Sequence, residues 1–147
     1  MRALPLSRRE RRVFFDSAAY LALLDARDEH HASAVEVLTR LADAHYRPFT
    51  SNAVVFEAYS LILSAIGRTQ ALRFLDRLEA GPTVVLRIRA QDEERAKQIL
   101  RAYEDKEYSF VDGLSFVVME RLGVTRAFTF DRHFSQYGLV VLTPDLV

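Results

Sequence analysis

Arg12-Val13-Phe14-Phe15-Asp16 is the stretch on which the reading of the fold turns. Its apolar, β-prone residues predict a short buried strand. Residues 17–24 follow without Gly or Pro and are rich in Ala and Leu, so a helix is predicted to start almost at once. Residues 30–44 place Ala34, Val35, Val37, Leu38, Leu41 and Ala42 on one face, the pattern of an amphipathic helix. Pro48-Phe49-Thr50 is a brief extended segment. Ser51 or Asn52 then caps a helix that runs to about Ile66 and stops at Gly67. Further on, helical patterns at 69–79, 92–103 and 109–122 alternate with β-prone runs at 83–88, 126–130 and 139–142. The helix at 92–103 reads as charged surface, and the one capped by Ser109 as very apolar. Strands separated by helices predict a three-layer α/β/α domain around a central parallel sheet. Asp16 and Asp131 are expected at neighbouring strand ends. No internal repeat, linker or low-complexity segment interrupts the pattern.

The chain of 147 residues fits one domain, and half of its residues are hydrophobic, enough for a sizeable core. Lys plus Arg number 20 and Asp plus Glu number 20, so no global field attracts nucleic acid and any such binding needs a local patch. The absence of cysteine excludes a disulfide framework and thiolate metal sites, and suits a reducing cytoplasm. Residues 1–11, with Arg2, Arg8, Arg9 and Arg11, read as a basic leader, and residues 12–147 as the domain. No run is apolar and long enough for a signal peptide or a bilayer span, so a cytoplasmic protein without membrane contact is expected.

Four acids stand alone in apolar surroundings. Asp16 is the only charged residue between Val13 and Leu24, and Glu57 the only one between Asn52 and Gly67. Asp112 is alone between Ser109 and Met119, and Asp131 ends Ala127-Phe128-Thr129-Phe130. Each has a structural explanation of its own. Asp16 and Asp131 can cap helices, Asp112 suits the first turn of a helix, and Glu57 can face solvent. Together they are harder to explain that way, because no comparable set of lone Lys or Arg exists to pair with them. In an open parallel sheet, ligands bind beyond the carboxyl ends of the strands. There the four can converge, and only a divalent cation relieves the repulsion of such a cluster. Oxygen ligands without His or Cys select a hard ion, Mg²⁺ or Mn²⁺.

The sequence resembles the PIN-domain nucleases, especially the VapC-type toxins of bacterial toxin–antitoxin pairs. The resemblance runs from Val13 to the C-terminus. It is carried by Phe14-Phe15-Asp16-Ser17, by Ser51 to Glu57, by Tyr108-Ser109-Phe110-Val111-Asp112-Gly113, and by Ala127-Phe128-Thr129-Phe130-Asp131-Arg132-His133-Phe134. It implies that Asp16, Glu57, Asp112 and Asp131 chelate one or two divalent ions and that the chain is an endoribonuclease, with an antitoxin partner and a homodimeric assembly. Ser17 departs from the Thr that many members carry at this supporting hydroxyl. The same domain also serves in RNA processing without an antitoxin, and in silent binding modules that have lost one or more acids; none is lost here.

Metal-assisted attack of water on phosphorus needs no His or Lys base. Ser17 and Thr129 are candidate supporting hydroxyls, and Arg132 and His133 candidate phosphate contacts or simply a solvated turn. His30 and His31 are expected to be solvated and remote. An aspartyl-phosphate enzyme would want a second Asp two residues after the first, where this chain has Ala18. A receiver domain would want a Lys near residues 139–142, and none is there.

Overall fold

The computed structural model describes residues 6, 7 and 11–147, so most of the basic leader expected at 1–11 lies outside the described residues. Five parallel strands form one sheet: β1 (Arg12–Phe15), β2 (Arg47–Ser51), β3 (Val84–Leu86), β4 (Arg126–Phe128) and β5 (Val140–Val141), in the order β3-β2-β1-β4-β5. Among the described residues seven α-helices flank it: α1 (Ser17–Leu24), α2 (His31–Asp43), α3 (Asn52–Ile66), α4 (Arg68–Ala80), α5 (Ala90–Ala102), α6 (Phe110–Leu122) and α7 (Arg132–Gln136). This is the α/β/α architecture expected from the alternation of patterns.

β1 shows why both faces are covered. Successive side chains of a strand point to opposite faces, yet Val13, Phe14 and Phe15 are all buried. Phe14 meets Phe49 edge-on at 5.4 Å and stacks on Phe134, whereas Phe15 packs on Phe128 at 4.9 Å and on Tyr20. In register, Phe14 lies opposite Phe49 of β2 and Ala127 of β4. α6 is buried continuously from Asp112 to Met119, which fits its apolar sequence. α6 packs against α5 at Gly113, where a Cβ would meet the Ala96 and Leu100 side chains at ordinary contact distance, 3.4 and 3.5 Å.

Several strands are shorter than their β-prone runs. β4 stops at Phe128 rather than residue 130, because Thr129 turns its hydroxyl to Asp16 and accepts the Asp131 amide, leading the chain into α7. β3 covers 84–86 rather than 83–88, and the Ile88 amide donates instead to the Asn52 side chain. β5 spans 140–141 and β1 ends one residue before Asp16. Ser51 caps α3 by accepting the Val54 amide, and Gly67, with φ of 94°, joins α3 to α4 in a conformation that suits glycine. No helix among the described residues is long and apolar enough to cross a membrane.

Replacing Phe14 with Ala leaves a cavity between both neighbouring strands and Phe134. Urea unfolding should show a loss of about 3–5 kcal/mol with little change in far-UV circular dichroism under native conditions.

Candidate active site

The sheet order fixes where a crevice opens. The chain runs from β1 outward through β2 to β3, then returns to place β4 and β5 on the other side of β1. The β1/β4 boundary is therefore the topological switch point, and the carboxyl ends of those two strands flank it. Asp16 follows β1 directly and its amide donates to the Phe128 carbonyl of β4 at 3.1 Å. Asp131 follows β4 and caps α7, its Oδ1 accepting the His133 amide at 2.9 Å. Asp112 enters from the first turn of α6, where it and Ser109 form a reciprocal capping box. Glu57 enters from α3, which packs on α1, and accepts a hydrogen bond from the Ser17 hydroxyl.

The capping roles for Asp112 and Asp131 are thus real, and the same bonds fix where the two carboxylates sit. Asp16 sits where a cap would but makes no side-chain cap bond. Its Oδ2 instead accepts the Thr129 hydroxyl at 2.8 Å. Asp16 is 3% exposed, and its pKa is pushed up to about 7. Burial is the main cause, the hydrogen bonds from Thr129 and the Ser17 amide oppose it, and the nearby Asp112 and Glu57 carboxylates add to it. Among the ion pairs of the described residues, none joins a Lys or Arg to any of the four acids. Asp92 offers the contrast, since it is equally buried but bonded to Arg121 at 3.1 Å.

The structure brings one more residue into this group. His133 Nδ1 lies 2.9 Å from Asp112 Oδ2 and 3.4 Å from Asp131 Oδ1. Asp112, Asp131 and His133 each offer a donor atom within 4.8 Å of the others, spacing that can hold a metal ion. His133 is therefore not simply a solvated turn residue, and a ring nitrogen stands among the oxygens that could hold an ion. Asp16 and Glu57 flank this trio without joining it at that distance. Arg132, by contrast, is exposed. His30 also departs from expectation, because its ring stacks on Phe130 at 4.5 Å, beside Asp131, and His31 Nδ1 bonds the Ala22 carbonyl.

This fold with an acidic crevice at its switch point defines a class, and the chain belongs to the PIN domain family, which matches residues 13–139. Among proteins of that class, it is 31% identical over 133 residues to the 23S rRNA-specific endonuclease VapC20 of Mycobacterium tuberculosis, covering 90% of this chain and 99% of the relative. The crystal structure of that VapC20, a Sarcin-Ricin loop cleaving toxin, superposes with a TM-score of 0.82 at 32% identity, over 90% of this chain and 99% of that one. FitAcB from Neisseria gonorrhoeae, at 16% identity and a TM-score of 0.64 over 92% of this chain and 99% of that one, shares the fold.

The raised pKa of Asp16 has a definite sign. The folded state holds this proton more tightly than the unfolded chain, so ionisation weakens the fold as pH rises from 3.8 through about 7. In chelator, Asp16→Asn should therefore be more stable than the wild type near about pH 8, by at most a few kcal/mol. The difference should shrink as pH falls and vanish near 3.8, read by urea melts across a pH series.

Proposed function

We propose that this chain is a divalent-metal-dependent endoribonuclease and the toxin of a toxin–antitoxin pair. The observation that carries the reading is a chain of neighbouring carboxylates near the β1/β4 boundary, Asp16 close to Glu57 and Asp112, and Asp112 close to Asp131, none of them ion-paired to an arginine or lysine among the described residues. A set of two buried and two half-buried carboxylates of this kind fits a hard cation, Mg²⁺ or Mn²⁺, and those four residues would hold it. When bound, such an ion supplies a water of lowered pKa, a contact to a phosphate oxygen and neutralisation of transition-state charge.

The remaining work falls to the chain itself. Thr129 and the Ser17 amide fix Asp16, and the Ser109 amide fixes Asp112. Glu57, with Oε1 held by Ser17, keeps Oε2 to orient the attacking water and receive its proton. Exposed Arg132, at the start of α7, contacts the substrate phosphate. The likeness to VapC20 supports 23S rRNA, at its sarcin–ricin loop, as the substrate. An apolar groove of about 320 Å³ between α1, α2 and α4, lined by Phe15, Leu24, Leu38 and Phe74 among others, supports a protein antitoxin as partner. Exposed Phe56, Leu61 and Leu63 on α3 support a homodimer.

Cleavage of 23S rRNA should require Mg²⁺ or Mn²⁺, stop in EDTA and return on adding metal back. Asp16→Asn and Asp112→Asn should each lower the rate by about 10³-fold or more, while circular dichroism and thermal melting show an intact fold. Cleavage that survives EDTA, or a folded Asp112→Asn protein as fast as wild type, would sink the metal–carboxylate mechanism. In bacteria, expression of the chain alone should arrest growth and the Asp112→Asn protein should not. An active enzyme that leaves growth untouched points to RNA processing without an antitoxin.

A further inference from the structure

We infer that His133 is itself a ligand of the metal centre, through Nδ1, and that it tilts the site toward Mn²⁺ over Mg²⁺. The inference rests on the metal-dependent reading above and adds a nitrogen donor to it. Nδ1 lies 2.9 Å from Asp112 Oδ2 and 3.4 Å from Asp131 Oδ1, and all three donor atoms fall within 4.8 Å of one another. Neighbouring donors around a six-coordinate ion at about 2.1 Å sit about 3 Å apart, so this is ligand-to-ligand spacing.

The imidazole is also held in place, as a ligand must be. Asp131 Oδ1 accepts the backbone amide of His133 at 2.9 Å, tying the residue to the carboxylate that shares the site. Tyr108 meets the His133 ring edge-on at 5.4 Å, and the side chain is only 22% exposed. A histidine serving as a mobile phosphate contact would have no need of these restraints. Imidazole binds transition ions more readily than Mg²⁺, which prefers oxygen and keeps its waters. A site with one imidazole among carboxylates therefore discriminates between the two ions, and an all-carboxylate site does so less.

The alternative is that His133 is a hydrogen-bond donor that occupies the crevice when metal is absent and leaves when it enters. The two roles give opposite results. The test uses the full chain, stripped of metal, titrated with Mn²⁺ and with Mg²⁺ by calorimetry, and pulsed electron paramagnetic resonance of the Mn²⁺ complex. Two variants are compared: His133→Ala, and His133→Asn, which keeps a donor near the Nδ1 position but offers no imidazole nitrogen. Thermal melting confirms that each is folded.

The expected result is a ¹⁴N coupling to Mn²⁺ in the wild type that is absent from both variants. Mn²⁺ affinity should fall about tenfold or more in both, with a smaller fall for Mg²⁺, so that the preference narrows. Unchanged or tighter Mn²⁺ binding by His133→Ala, wild-type affinity in His133→Asn, or no ¹⁴N coupling in the wild type would each overturn the inference. The Asp16→Asn protein, which should lose both ions together, separates the two levels of the reading. Metal binding that ignores His133 but needs Asp16 overturns only the ligand role of His133, whereas a wild type that binds neither ion overturns the metal-dependent reading as well.

Discussion

Asp16 is a carboxylate held almost without solvent at the end of the most buried strand, and the rest of the site is arranged around that fact. β1 has its neighbours on both edges and helices on both faces, so the residue that follows Phe15 has little water available to it. Such a charge is costly unless something compensates it. Two hydrogen bonds offset part of the burial, and two further acids then work in the opposite direction. Natural cores avoid this arrangement, as Asp92 shows by being paired with Arg121. Repulsion left in place among Asp16, Glu57 and Asp112 is stability forgone, the pattern by which functional sites are recognised.

The helix termini do two jobs at this edge of the sheet. Ser109 and Asp112 close the first turn of α6, and Asp131 closes the first turn of α7. These bonds engage one oxygen of each carboxylate and fix its position, so the groups are oriented by the fold itself. Similarity to VapC20 over most of both chains sits naturally with this picture.

Much of the architecture was legible because its signals are local. Val13, Phe14 and Phe15 announce a strand buried on both faces, and Ser51, Gly67 and Ser109 mark helix ends where the structure has them. Asp16, Glu57, Asp112 and Asp131 stand out because each interrupts an apolar run. What escaped depends on partners distant in sequence. Thr129 and Phe130 have the same β-propensity whether they extend a strand or leave it, and the group that draws Thr129 away lies 113 positions earlier. His133 follows a capping Asp by two residues, which is the available hint, but its partner Asp112 is 21 positions away. Asp92 lies in a charged stretch and reads as surface, although α6 buries it and supplies Arg121.

The strand order also governs when the site comes into being during synthesis. β1 is made early, and its pairing with β4 must wait until residues 126–128 exist. The hydrogen bond between Asp16 and Thr129 closes a span of 113 residues, and Asp131 and His133 come later still. A chain emerging from the ribosome in order therefore carries Asp16, Glu57 and Asp112 without the elements that gather them. The crevice at the β1/β4 boundary assembles only after residues 126–133 have left the ribosome, whatever has folded before them.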